Sequence, residues 1–150
     1  MFRPIYSSAC GYSFQGHPIN ETRYIQAAFE QLFYDYQVDI VFNGHVHSYE
    51  RNYAIYNDTK IMGNNGSPYD NPKAPVYIIP GAPGCEEGFE SCWDPKQPQW
   101  SAFRLTQEYG FGQLTVVDDV KSKQHQLKWQ WVRSSDGKVL DEFVLTKPIN

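Results

Sequence analysis

The chain has 150 residues, 13 Lys and Arg against 17 Asp and Glu, and a formal net charge of −4. Its 41% hydrophobic content, with 11 Tyr, 9 Phe and 4 Trp, supports one core and excludes a low-complexity, disordered polypeptide. The basic residues form no stripe, no apolar run reaches membrane-spanning length, and no basic-then-apolar signal segment opens the chain, so neither nucleic acid nor membrane is expected as a partner.

Residues 1–19, broken by Pro4, Gly11, Gly16 and Pro18, read as an irregular loop. Residues 21–36 then predict an amphipathic helix. Its apolar face is Ile25, Ala28, Phe29, Leu32, Phe33 and Tyr36, spaced by three or four, and Asn20 is the expected cap. An apolar strand over 38–43 follows, with Val38, Ile40, Val41 and Phe42 expected to be buried; it stops at Gly44. Residues 53–56 predict a short strand, 57–75 a turn-rich excursion, 76–79 an interior strand and 80–98 a further loop. Alternating runs over 113–117, 126–132 and 139–146 predict antiparallel strands, with Ser135-Asp136-Gly137 as a hairpin turn. Leu127, Trp129 and Trp131 share one face, on which Phe143 and Leu145 meet them across that turn as core. Without a repeat or linker, residues 1–150 are expected to form one domain.

Cys85 and Cys92 bracket six residues, a loop short enough for a disulfide, which leaves Cys10 free or paired with a segment elsewhere. Sequons stand at Asn20, Asn57 and Asn65; Pro68 weakens the third, and glycosylation of Asn20 would compete with its capping role.

The strongest chemical signal lies just past the 38–43 strand, where Gly44 is followed by His45 and His47. In an extended backbone, side chains two apart point to the same face. Two imidazoles beyond the carboxyl end of a buried strand therefore suit a metal such as Zn, Fe or Cu. An isolated His-x-His pair is more often surface histidine, but the order helix, connection, apolar strand, glycine and paired histidines favours ligation.

The block Gly44-His45-Val46-His47-Ser48-Tyr49-Glu50-Arg51 resembles the GHVHxYER signature of purple acid phosphatases, within the calcineurin-like metallophosphoesterases. Arg3-Pro4-Ile5-Tyr6-Ser7-Ser8 resembles that family's RPxYSS stretch, 75–88 its next strand and glycine-rich loop, and Tyr109-Gly110-Phe111-Gly112 its closing strands. The Tyr-Glu-Arg extension argues against other calcineurin-like phosphodiesterases. The resemblance implies an α/β fold, the carboxyl-terminal half of a metallophosphoesterase sandwich ending in antiparallel strands. It also implies hydrolysis of phosphate monoesters at acidic pH by ferric iron paired with divalent Fe, Zn or Mn, in a secreted or vacuolar/lysosomal glycoprotein that is in some cases oligomeric. By the same resemblance His47 binds the ferric ion and His45 the divalent ion. Metals about 3.5–4 Å apart need full coordination, and here most of it is absent. Motifs like GDxxY and GNHE, which carry the family's Asp, Tyr and Asn ligands, do not occur, and Phe2 stands where the third histidine belongs. The missing donors are therefore expected on an amino-terminal segment, and the isolated chain is expected to be inactive. The alternative is a non-catalytic remnant, acting as an interaction or weak metal-binding module.

His17 is either a solvated loop histidine or, by the resemblance, a contact to phosphate or to the leaving group, which needs a general acid. Tyr49, Glu50 and Arg51 are expected to fix the loop by hydrogen bonds and ion pairs. Glu86, Glu87 and Glu90 read as solvated carboxylates.

Overall fold

The computed structural model describes residues 1–15, 17–81, 84, 86–90 and 92–149. Two short strands, β1 (Ser13–Phe14) and β2 (His17–Pro18), precede the helix α1 (Asn20–Asp35). Then come β3 (Ile40–Phe42), β4 (Tyr49–Tyr56), β5 (Thr59–Lys60), a 3-10 turn at Asn64–Gly66, β6 (Val76–Pro80) and β7 (Ser101–Leu105). Three long strands close the chain, β8 (Gly110–Asp119), β9 (Gln124–Arg133) and β10 (Val139–Pro148).

The strands form two main sheets. One has the order β3-β6-β4-β5 with β7 on β4, and the other is the meander β10-β9-β8. β6 explains the first. Val76, Tyr77, Ile78 and Ile79 are all fully buried, so both faces of this strand must be covered, as expected for an interior strand. Val76 and Ile78 face Tyr49, Trp129, Trp131, Phe143 and Leu145, while Tyr77 faces Ile5, Tyr6, Val41 and Trp100, with Ile25 and Phe33 of α1 packed around them. The arrangement is thus helix and loop, mixed sheet, antiparallel sheet: an α/β sandwich. β3 runs parallel to β6, which places the segment after Phe42 beyond the carboxyl ends of parallel strands.

The closing meander matches the alternation in the sequence. Trp129 pairs with Phe143 and Leu127 with Leu145, on the core face. β8 makes room for the indoles by having no side chain there. A Cβ at Gly112 would fall 1.8 Å from the Trp129 ring, and one at Gly110 would fall 2.4 Å from that of Trp131. Gly137, with φ 73°, supplies the turn between β9 and β10.

Four expectations are corrected. First, α1 turns a polar stripe inward: Thr22, Gln26 and Glu30, spaced by four, are its buried residues. Phe29, Leu32 and Tyr36 are exposed. The cause lies outside the helix. The Tyr6 hydroxyl donates to Glu30, Gln26 Nε2 donates to that hydroxyl at 2.7 Å, and the Asn57 amide donates to Glu30 Oε1 at 3.0 Å. These bonds satisfy the buried groups, so polar residues hold the inner face. Second, Asn20 is no cap. Ile19 holds that position without a side-chain bond, and Asn20 is the first helical residue, with φ 50°. Third, the strand expected over 53–56 begins at Tyr49, and β7 lies where no element was expected. Fourth, Cys92 is bonded to Cys10, with Cα atoms 5.3 Å apart, which overturns the Cys85–Cys92 pairing. Cys85 itself lies outside the described residues.

Among the described residues, no helix is long and apolar enough to cross a membrane.

Candidate functional site

The two histidines sit in a tight turn, not in the extended backbone expected for them. The Val46 amide donates to Gly44 O at 2.9 Å, and His45 has φ 70°. Side chains still divide by face: Val46 is buried against Ala9 and Ile79, while His45 and His47 are both half-buried. The turn is clamped from two sides. The Gly44 amide donates to Phe2 O at 2.7 Å, and the Glu90 amide donates to His47 O at 3.0 Å. Gly81 lies so close that a Cβ would fall 1.8 Å from the Val46 carbonyl oxygen, so glycine is required there by contact rather than by conformation.

Around His45 stand Phe2, with ring centroids 5.2 Å apart, and Tyr12, edge-on at 5.8 Å. Burial lowers the pKa of His45, and the charges of Arg3 and His47 lower it further against the opposing carboxylate of Glu87. The imidazole is thereby favoured in the neutral form that ligates metal. His47 has Nδ1 3.8 Å from Glu87 Oε2, a carboxylate that is otherwise exposed, as expected. Tyr12 is shifted upward by burial and by Glu90, with Arg3 opposing, so its phenol stays protonated.

The residues following His47 are structural, as their types suggest. The Tyr49 hydroxyl donates to Asp141 Oδ2 at 2.6 Å, and Trp129 Nε1 donates to the Tyr49 oxygen at 2.9 Å. Arg51 grips Asp141 with Nε at 2.6 Å and a terminal amino group at 2.8 Å, donates to Tyr69, and lies over the Phe143 ring. Burial works against the Arg51 charge, yet the Asp141 bonds hold its pKa above the usual arginine value. Glu50, fully buried, accepts from the Ser8 amide at 2.8 Å, the Ser8 hydroxyl at 2.6 Å and the Ser101 hydroxyl at 2.7 Å. β4 is thereby bolted to β10 on one side and to the loop bearing Ser8 on the other. The role of Ser8, Ser101 and Asp141 left no mark in the sequence, because each partner lies 42 or more residues away.

His17 stands apart. Its Nδ1 lies 3.1 Å from Asp58 Oδ2, and Asp58 also receives Arg23 at 3.3 Å and Gln26 at 2.8 Å. A carboxylate only accepts, so Nδ1 donates and Nε2 is left free on a side chain that is 65% exposed. No contact among the described residues joins His17 to His45 or His47. It lines a cleft with Gln15, Lys96 and Trp100.

The donors present do not complete a dinuclear metal group. His45 and His47 lie near enough to act on each other electrostatically, but no set of three His, Cys, Asp or Glu side chains fit to hold an ion occurs among the described residues. The ring of Phe2, the position where the resemblance expects a third histidine, packs directly on His45.

Residues 74–142 match the family described as iron/zinc purple acid phosphatase-like protein C. Over 128 residues the chain is 38% identical to acid phosphatase type 7 of Danio rerio, covering 85% of the chain and 28% of that protein. It is 37% identical over 139 residues to phosphoenolpyruvate phosphatase of Allium cepa, covering 92% of the chain and 26% of that protein. The solved structure of purple acid phosphatase PPD1 from yellow lupin (Lupinus luteus) seeds superimposes with a TM-score of 0.71 at 26% identity, over 98% of this chain and 24% of that one. The fold is that of the carboxyl-terminal half of a metallophosphoesterase sandwich. Over nearly its whole length the chain is similar to the carboxyl-terminal part of purple acid phosphatases, and it spans about a quarter of the length of the curated relatives it matches.

Proposed function

We propose that residues 1–150 contribute one part of the catalytic domain of a metal-dependent acid phosphatase acting on phosphate monoesters, with His45 and His47 as two of its metal ligands. The observation that supports this reading is the clamped Gly44–His47 turn, which carries two half-buried imidazoles, close enough to act on each other electrostatically, past the carboxyl end of a parallel strand pair. The group implied by the family is ferric iron with a divalent ion, Fe, Zn or Mn, and it supplies a bound nucleophile and a grip on phosphoryl oxygens. The chain's own share is narrower: it orients two imidazoles through backbone clamps and keeps His45 neutral. The carboxylates and remaining donors are to be sought on an amino-terminal segment of the same enzyme, and the 150 residues alone are inactive. His17 is assigned a contact to the leaving group, with Asp58 fixing its tautomer so that Nε2 faces outward. The Cys10–Cys92 disulfide supports a secreted or vacuolar setting, where such bonds persist. Phe2 on His45 favours a second reading, a non-catalytic module that binds metal weakly.

Zinc titration of the purified chain against a chromogenic chelator tests the ligand assignment. Weak, readily chelated uptake is expected, abolished by His45→Ala or His47→Ala. Structural zinc sites are worth about 10–16 kcal/mol over four ligands, so the third imidazole of Phe2→His strengthens uptake by about a hundredfold where its geometry is good. Uptake indifferent to His45 and His47 refutes the assignment, and phosphate-ester hydrolysis by the pure chain with added metal refutes its incompleteness. Extension of the reading frame upstream through motifs like GDxxY and GNHE separates the enzyme from the remnant.

A further inference from the structure

A cleft of about 370 Å³ opens beside His45, with Tyr12 as its shared wall. That volume suits a small molecule. Its charged lining is distinctive. Among the described residues that line it, Arg3 is the one cation, and Glu21 and Glu90 are the anions. Arg3 lies near enough to act on both His45 and Tyr12, and Glu90 acts on Tyr12 with the opposite sign. One cation and two carboxylates therefore share the cleft with an aromatic ring that reaches His45.

Arg3 and Glu21 form an ion pair with each other, and their side chains are 44% and 64% exposed. Such an exposed pair is weakly held, so a ligand can open it. The charge of the ligand decides the outcome. A plain phosphate ester that takes Arg3 leaves Glu21 unpaired and faces two carboxylates. A simple ammonium takes Glu21 but leaves Arg3 alone. A molecule carrying both charges replaces one ion pair by two and satisfies every charged group in the cleft.

Resting on the phosphate-ester reading above, we propose that this cleft selects small phosphate monoesters that bear a protonated amine. The phosphoryl group lies toward Arg3 and His45, and the ammonium lies between Glu21 and Glu90 against the Tyr12 ring. Cation–π attraction from Tyr12 adds to the carboxylate contacts. Arg3, Tyr12, Glu21 and Glu90 are then specificity residues, set apart from the metal ligands.

The test is calorimetric titration of the full, disulfide-intact chain in chelator, using O-phosphoethanolamine, ethyl phosphate as the amine-free control and ethylamine as the phosphate-free control. O-Phosphoethanolamine is expected to bind about tenfold more tightly than either control. Glu21→Gln combined with Glu90→Gln is expected to erase that preference while leaving ethyl phosphate bound as well or better. Arg3→Met is expected to weaken both phosphate ligands. Arg3 and Glu21 are exposed and Glu90 is half-buried, and circular dichroism checks the fold of each variant. Equal affinities in the unmodified chain, a preference that survives the double substitution, or no binding of either phosphate overturns the proposal. Zinc uptake at His45 and His47 is measured separately: if it persists without an amine preference, only this inference fails. If uptake does not depend on those histidines, the metal assignment fails while the amine preference is still read.

Discussion

The Arg51–Asp141 pair joins the two sheets, and its removal is the most informative perturbation of the scaffold. The side chains are 10% and 6% exposed, and Asp141 accepts three hydrogen bonds, two from Arg51 and one from Tyr49. Arg51→Met strands a buried carboxylate with the Tyr49 hydroxyl as its remaining side-chain donor. Breaking a buried pair in this way costs about 3–5 kcal/mol. Domains of this size hold about 5–15 kcal/mol in total, so about a fifth or more of the stability goes. At about 2–4 °C per kcal/mol, the midpoint of thermal unfolding falls by about 6–20 °C. The double variant Arg51→Met/Asp141→Leu buries no lone charge, and packing of the new side chains on Phe143 and Trp129 recovers most of the loss. Urea unfolding followed by tryptophan fluorescence measures the unmodified chain, both single variants (Arg51→Met and Asp141→Leu) and the double variant, with fully buried Trp131 as a reporter stacked on Tyr49 at 5.2 Å. A single-variant loss below about 1 kcal/mol, or a double-variant loss equal to the sum of the singles, refutes the view that this pair locks the sheets together.

Three further outcomes follow from the same geometry. The Cys10–Cys92 bond spans 82 residues, so Cys92→Ser or reduction is expected to cost about 4.5 kcal/mol by loop-closure entropy, and a 10–92 cross-linked peptide is expected in an unreduced digest; a peptide linking Cys85 to Cys92 instead refutes the pairing. Gly81→Ala drives a Cβ into the Val46 carbonyl, so backbone shifts at His45 and His47 in amide spectra and a loss of about 1–3 kcal/mol are expected; unmoved signals refute the close approach. Burial raises the pKa of Glu50 above its ordinary 4.5 against the bonds from Ser8 and Ser101, so the folded state holds the proton more tightly than the unfolded one. Its contribution is thus complete below pH 4.5 and declines as pH rises through the elevated folded value; Glu50→Gln removes that slope in urea midpoints, and an unchanged slope refutes the assignment.

What was legible in the sequence was short-range. The apolar run, Gly44 and the paired histidines placed the turn after β3, and period-two alternation placed the Trp129–Trp131 stripe against Phe143 and Leu145. The inner face of α1 was not legible. Thr22, Gln26 and Glu30 look like a solvated stripe until Tyr6 and the turn at Asn57-Asp58 are brought up from distant positions to bond them. β7 and the early start of β4 were hidden for the same reason. Tyr49-Glu50-Arg51 reads as a loop fixed by hydrogen bonds and ion pairs; those bonds form, but on a strand and with partners from distant elements. Spacing pointed to Cys85 for Cys92, whereas the chain brings Cys10 across 82 residues, because the Ala9–Trp93 bridge aligns the two loops.

The same partners explain why the metal site proposed above is short of anions. A cation held by His45 and His47 needs carboxylates to offset its charge. Four carboxylates that are buried or partly buried are already engaged. Glu30 takes Tyr6 and Asn57, Glu50 takes Ser8 and Ser101, Asp58 takes His17 and Gln26, and Asp141 takes Arg51 and Tyr49. Withdrawing any of them to bind metal leaves buried donors unpaired at about 1–3 kcal/mol each. The carboxylate adjacent to the turn is Glu87, exposed and 3.8 Å from His47. A scaffold that commits its acids to holding strands together can present imidazoles precisely where β3 ends. It must then receive its charge-neutralising ligands from other polypeptide, or bind metal weakly.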